Sequence, residues 1–322
     1  MPTPDIRAYA HGIHAIDTEY VRPGLDASHL IVRDGRAAFV DTGTNHSVPG
    51  LLAALEALDV PRETVDYVLL THVHLDHAGG AGALMRELPN ATAVVHPRGA
   101  QHLADPAQLE AGTRAVYGDK VYETLYGALV PIPATRIRDV KDEETIMLGS
   151  SRLRFLHTPG HALHHVAVHD EAANAVFSGD IFGISYRVFD NPKGEPFVFP
   201  TTTPTQFDPA QMHASIERLV ALAPRAVYLT HYSEVTEIER LAADLHHDVD
   251  RFVEIAEAHE GEEDAQQTMR HALHDYLAGR LLAHGTHVAP KMRETWLEMD
   301  MNLNAAGLLA WRQRLGRRRV AQ

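Results

Sequence analysis

Thr71-His72-Val73-His74-Leu75-Asp76-His77-Ala78-Gly79-Gly80 is the stretch on which the reading of this chain turns. Three imidazoles and a carboxylate fall within it, directly after the apolar run Tyr67-Val68-Leu69-Leu70. Imidazole suits zinc and other borderline divalent metals. On a continuing strand, the period of two sends His72 and His74 to one side, where they grip one ion. Asp76 and His77, in the turn that follows, then face a second ion. Gly79 and Gly80 let the backbone fold tightly against the site. In a chain with 23 histidines a lone His is more often a surface or core residue than a ligand. An H-x-H-x-D-H string behind an apolar strand is far more specific.

Further apolar runs occur at Leu30-Ile31-Val32, Ala38-Phe39-Val40, Ala93-Val94-Val95, Leu153-Arg154-Phe155-Leu156, Ala175-Val176-Phe177 and Ala226-Val227-Tyr228-Leu229. Several end in a polar residue: Asp41, Thr71, His157, Asp180, Thr230. His157-Thr158-Pro159-Gly160-His161, Ser178-Gly179-Asp180 and Leu229-Thr230-His231-Tyr232 each place a His or Asp at such an end. Strand ends hold ligands more accurately than long loops do.

This series resembles the metallo-β-lactamase superfamily. The H-x-H-x-D-H motif is followed by single His, Asp and His, and Phe39-Val40-Asp41-Thr42-Gly43 is similar to the family's first motif. The resemblance covers roughly Leu30 to Tyr232 and is much more specific for fold and metal site than for substrate. It implies an α+β fold, the four-layer αββα sandwich of two mixed sheets with helices outside. It also implies two divalent ions, zinc favoured, with iron or manganese as alternatives. By the same resemblance His72, His74 and His161 hold one ion, Asp76, His77 and His231 hold the other, and Asp180 bridges both. Asp41 is similar to the acid that orients a ligand histidine, and outer partners of that kind fix the ligand's tautomer. His165 is expected beside the ligands rather than among them.

The implied chemistry is hydrolysis by a hydroxide shared between two ions. Asp76 orients that nucleophile and takes up its proton. Tyr186 and Tyr232 are candidates for the general acid or a substrate contact, although a purely structural role is favoured for each. An ester-like bond of a small intracellular metabolite, thioester or lactone, is the favoured target. The Thr158-Pro159-Gly160-His161 turn and a helical C-terminal part resemble the glyoxalase II-like thioesterase branch, with Arg280, Lys291 and Arg293 as candidate contacts for substrate carboxylates. Phe182, Tyr186, Phe189, Phe197 and Phe199 could line a lactone pocket or pack a core. Two other classes stay open: a slow or non-catalytic regulatory protein of the same fold, and a thiol or persulfide oxygenase with a single iron on His72, His74 and His161.

Composition bounds the partners. Lys and Arg number 29 against 43 Asp and Glu, a net charge of −14, which disfavours nucleic acid. The arginines at 312, 314, 317, 318 and 319 read as a solvated helix end. Without cysteine there are no disulfides or thiolate ligands. Met1-Pro2-Thr3-Pro4-Asp5 shows no signal peptide and no stretch is long and apolar enough to span a bilayer, so the expectation is a cytoplasmic protein with no membrane partner.

The chain divides into a metal-binding domain, residues 1–234, and a helical subdomain, 235–322. Ser47-Val48-Pro49 opens one helix, with Pro in its first turn. Another follows Gly79-Gly80, and a third runs through Met212, Ile216, Leu219 and Val220. From Val235 onward, apolar residues at helical spacing describe three amphipathic helices broken near Gly261 and at Gly285 to Pro290. They are expected to cap the site, to form a homodimer, or both. Ala107 to Pro133 reads as partly helical. Phe182 to Phe207 reads as a long irregular loop of the kind that is often functional.

Overall fold

The computed structural model describes residues 4–202 and 206–320, with side chains through Arg317. The stretch 203–205 of the expected irregular loop, the first three residues and the side chains of Arg318 and Arg319 lie outside the described residues. Two compact units share the chain. One comprises residues 1–157, 164–179 and 224–236, the other 158–163, 180–223 and 237–322. The change from strands to helices falls between Val235 and Ile238, but compactness assigns two earlier segments to the helical unit.

The first unit holds two mixed sheets. The seven-stranded sheet takes its strands in chain order: β1 (Ile6–Ala8), β2 (Ile13–Asp17), β3 (Ala27–Arg33), β4 (Arg36–Val40), β5 (Val65–Leu69), β6 (Thr92–Val95) and β7 (Ile137–Asp139). β1 to β4 pair antiparallel and β4 to β7 parallel. The six-stranded sheet comprises β8 (Thr145–Leu148), β9 (Ser151–His157), β10 (Val166–Asp170), β11 (Ala175–Gly179), β12 (Ala226–Leu229) and β13 (Ser233–Val235). Its pairs are antiparallel except β11 with β12.

The apolar runs do not alternate with polar residues because both faces of the first sheet are covered. Neighbours such as Leu30 and Ile31, Phe39 and Val40, and Val68 and Leu69 point into different cores. One core lies between the sheets, where Ile31, Val40 and Leu69 meet Leu153, Phe155, Val168, Phe177 and Tyr228. The other lies under helices α1 (Val48–Ala57), α2 (Leu75–Ala78), α3 (Ala81–Glu87) and α4 (Pro97–Ala104), through Leu51, Leu55, Ala78, Leu84, Met85 and Leu103. Helices α5 (Ala107–Tyr117) and α6 (Asp119–Leu125) account for the partly helical stretch. The seven apolar runs all form strands. The strands not anticipated, β1, β2, β7, β8, β10 and β13, are mostly short, and Val235 ends β13 instead of opening a helix.

Parallel pairing makes β4, β5 and β6 end together, and β11 and β12 likewise. β9 runs with β11, since both oppose β10. Open sheets of this kind bind ligands beyond the carboxyl ends of their strands. Asp41 follows β4, Thr71 to His77 follow β5, and Thr230-His231 follow β12.

In the second unit α7 (Pro209–Val220) buries Met212, Ile216 and Leu219, and its start is capped by Asp208, which accepts the Gln211 N–H at 3.0 Å. Three long helices follow: α8 (Ile238–Ala258), α9 (Ala265–His284) and α10 (Pro290–Val320). α9 stops at Gly285, whose φ of 82° is the left-handed cap that glycine supplies. α8 and α9 are tied by Asp248, fully buried, which accepts hydrogen bonds from Tyr276 at 2.5 Å and from Arg280. Arg280 also pairs with Asp244, so this candidate substrate contact already has protein partners. Arg312 likewise pairs with Glu257 and Glu260.

The aromatic residues of the irregular stretch from Phe182 onward are core. Phe182, Tyr186, Phe189, Phe197 and Phe199 are at most 2% exposed. Tyr186 packs on Trp296 with ring centroids 5.1 Å apart, and on Phe199. Its backbone is satisfied locally by the Ile184–Phe199 bridge and by Asn304, whose Oδ1 accepts from Thr202 N at 2.6 Å.

Candidate metal centre

β5 stops at Leu69, one residue after which the Leu70 N–H still bonds Val94 O at 2.9 Å. The segment through His74 then leaves the ladder, so the strand does not continue through His72 and His74 as expected. The two rings nevertheless meet, Nε2 of His72 lying 2.8 Å from Nδ1 of His74. A bend brings them together where a pleat was anticipated. Asp76 and His77 sit in the single turn of α2, N-capped by His74.

Asp41 is the hub of this unit. Its carboxylate is 1% exposed and accepts from Thr71 N at 2.8 Å, Thr71 Oγ1 at 2.8 Å and Thr230 Oγ1 at 2.9 Å. Its Oδ2 lies 2.8 Å from Nδ1 of His77. The backbone there has φ = 56°, a left-handed conformation that Asp tolerates better than most residues. Three chain segments, after β4, β5 and β12, are thereby fastened to one carboxylate.

The tautomers follow from these bonds. His77 donates Nδ1–H to Asp41, which leaves its lone pair on Nε2. His231 donates Nδ1–H to Leu25 O at 2.9 Å, which again leaves the lone pair on Nε2. These two Nε2 atoms lie 3.9 Å and 3.6 Å from Oδ2 of Asp76. Two lone pairs and a carboxylate oxygen, all within 4.8 Å of one another, converge on one place. Three electron-rich atoms facing one another in a buried site call for a cation, and the N,N,O donor set fits a borderline divalent metal. His72 and His74 form a second convergent pair, with His72 also within 4.8 Å of His77.

His161 and Asp180 belong to the other unit and are neighbours there, Nε2 of His161 lying 3.4 Å from Oδ2 of Asp180. Both are buried. His161 Nδ1 bonds Thr201 O at 3.2 Å, which again assigns the lone pair to Nε2. Gly160 is needed in this turn: its φ is 134°, and a Cβ would lie 2.4 Å from the backbone of Met212 in α7.

The other anticipated residues are placed as follows. His165 is 1% exposed, its ring 5.0 Å from that of His72. His164 stacks on His72 at 6.1 Å and its Nδ1 accepts from Val73 N at 3.5 Å. Tyr186 donates to Asp300 at 3.2 Å, and the Tyr232 hydroxyl lies 3.5 Å from Asp17. Asp26 was not anticipated. It is fully buried, and burial raises its pKa to about 7 against the opposing pull of His231 and His77. It follows Leu25, whose carbonyl holds His231, and a backbone carbonyl gives no side-chain signal in a sequence.

Sheets with this topology and ligand loops at the carboxyl ends of their strands define a metal-binding α+β class. The family model described as the metallo-beta-lactamase superfamily matches residues 21–231, and the chain belongs to that family, whose αββα fold it has. It is a metal-dependent hydrolase of that fold. A metallo-beta-lactamase fold-containing protein of Sulfurisphaera tokodaii, ST1585, is 28% identical over 225 residues, 68% of this chain and 78% of its own. The solved structure of that protein superposes with a TM-score of 0.65 at 22% identity, over 93% of this chain and 99% of its own. A hydroxyacylglutathione hydrolase of Acidiphilium cryptum is 30% identical over 72% of this chain and 74% of its own. The human acyl-coenzyme A thioesterase MBLAC2 is 29% identical over 54% of this chain and 66% of its own. Among the described residues no helix is long and apolar enough to cross a membrane.

Proposed function

We propose that the chain hydrolyses a thioester of a small metabolite with two divalent ions, zinc favoured over iron or manganese. His72, His74 and His161 would hold one ion, Asp76, His77 and His231 the other, with Asp180 shared. The observation that carries this reading is the convergence of Asp76, His77 and His231 with both tautomers fixed from behind. When bound, such a pair of ions supplies a water-derived nucleophile at neutral pH and polarises the scissile carbonyl.

The chain's own residues do the rest. Asp41 and the Leu25 carbonyl hold His77 and His231 in one tautomer, so no ring has to turn over on loading. Asp76 is about a quarter exposed, so one carboxylate can reach both the ligand cluster and a water approaching from solvent. It is placed to orient that water and to take up its proton. Tyr186 and Tyr232 already face carboxylates of the protein. A thioester makes the lightest demand on a general acid, since a thiolate, of pKa about 8.5, leaves without prior protonation far more readily than an alkoxide. Two of the relatives named above carry thioester-hydrolase names, which supports the same choice.

The test uses a property of this chain. With no cysteine of its own it adds nothing to a thiol-detecting dye. Glutathione and coenzyme A thioesters, with lactones and phosphodiesters as controls, are expected to show thiol release that disappears in His72→Ala. Turnover confined to lactones would overturn the thioester reading, and thiol release undiminished in His72→Ala would overturn the metal mechanism.

A further inference from the structure

Apart from the ligand motifs, a second group of histidines is assembled within the helical unit. His213 and Glu217 lie four residues apart on α7, so they share a face, and His246 and Asp250 do the same on α8. The two rings lie nearly parallel and meet edge to edge, with centroids 4.9 Å apart and an interplanar angle of 19°. Their Nδ1 atoms are 2.6 Å apart. On the far side of each ring stands a carboxylate: Asp250 Oδ1 is 3.1 Å from Nε2 of His213, and Glu217 Oε1 is 2.7 Å from Nε2 of His246.

A carboxylate accepts only, so Nε2 of His213 donates to Asp250 and the Nδ1 of that ring carries the lone pair, while Glu217 stands beside Nε2 of His246 without a hydrogen bond to it. That lone pair faces Nδ1 of His246 at 2.6 Å, a gap that holds one small cation. The choice is a shared proton or a metal ion. A carboxylate beside each imidazole is the outer arrangement that orients metal-binding histidines. The side chains of His213 and His246 are 29% and 24% exposed, which leaves the place open to ions from solvent.

We propose that His213 and His246 form a separate divalent transition-metal site that clamps α7 to α8, with Asp250 and Glu217 orienting the rings and water completing the coordination. At a metal–nitrogen distance of about 2.0 Å the rings need part by less than about 1 Å to admit the ion. Loading moves the Nδ1 proton of His246 to its Nε2, beside Glu217. Imidazole pairs of this kind take copper(II) most tightly, with zinc and nickel following.

The experiment is equilibrium dialysis of the full chain against micromolar zinc, followed by elemental analysis, for wild type, His213→Ala and His246→Ala. Each variant is expected to bind one equivalent fewer than wild type, while the ions on the motif residues are counted equally in all three. Glu217→Gln and Asp250→Asn should each weaken that one equivalent about 10- to 100-fold. With copper(II), the electron paramagnetic resonance spectrum should show a signal with nitrogen hyperfine structure that His246→Ala removes. If either alanine variant fails to fold, the glutamine substitution at the same position supplies the readout. Equal zinc content and equal copper spectra in wild type and both variants would overturn the proposal and leave the pair as a proton-sharing contact.

Discussion

His77 and His231 in one unit, and His213 in the other, present a ring nitrogen whose lone pair is set from behind, but the neighbours that set it differ in kind. Behind His77 stands Asp41, fully buried, which also ties Thr71 and Thr230 from segments 30 and 189 residues away. Behind His213 stands Asp250 and beside His246 stands Glu217, each on the facing helix and 69% and 67% exposed. The first arrangement is a long-range network in which each bond supports the sheet edges as well as the ligand. The second joins two helix faces through solvated carboxylates, and its loss is confined to those faces. Buried charge held by distant segments is costly to disturb, whereas solvated pairs are screened and replaceable.

The comparison is sharpened most by removing a ligand from the buried cluster. His72→Ala should reduce thiol release to the uncatalysed rate and lower metal content on dialysis, with far-ultraviolet circular dichroism unchanged. Asp41→Asn comes next. It keeps the shape but supplies a donor where Thr71, Thr230 and His77 all need an acceptor, so metal affinity should fall about 10- to 100-fold, read by chelator competition. A lower unfolding temperature should accompany it. Unchanged affinity with lowered stability would mean that Asp41 serves the fold alone.

A change in the helical unit should separate the two effects. Arg280→Ala leaves Asp248 buried with the Tyr276 hydroxyl as its remaining partner among those described above. The expected cost is about 3–5 kcal/mol in denaturant unfolding. Zinc content should not change, and a loss of metal in step with stability would break the distinction drawn above.

The smallest effect is a pH slope. His29 lies between the sheets against Phe177 and Tyr228, and burial lowers its pKa to about 4. The unfolded chain takes up that proton near pH 6.5, before the folded one does. Its contribution to stability is therefore complete above pH 6.5 and is lost as pH falls toward 4, by at most about 1.4 kcal/mol per unit. His29→Phe should flatten that limb of the stability curve measured by urea titration, and an unchanged slope would show that His29 is not its source.

How much of this could be read from the sequence differs between the same two regions. The metal motif was legible because four ligand-type residues crowd one turn after an apolar strand, and the later His and Asp residues each close a strand. The three C-terminal helices were legible from their 3.6-residue period and from Gly261 and Gly285. Asp41 could be read only through its resemblance to a motif, since its three partners are joined to it by folding. The His213–His246 pair was invisible because an i, i+4 His and Glu on one helix reads as a solvated face until a second helix is laid beside it. The stretch from Phe182 looked like a functional loop and its aromatic residues proved to be core, for irregular backbone can be buried when side chains such as Asn304 satisfy it. The unanticipated strands escaped because three to five residues carry little periodicity.

The most direct measurement is a metal titration of chelator-stripped His213→Ala protein, with thioester hydrolysis and bound metal followed together. This account predicts that thiol release rises to a plateau at two equivalents of zinc per chain and stays absent in the His72→Ala, His213→Ala double variant. Two bound equivalents without hydrolysis of any thioester, or full activity with the metal removed, would contradict it.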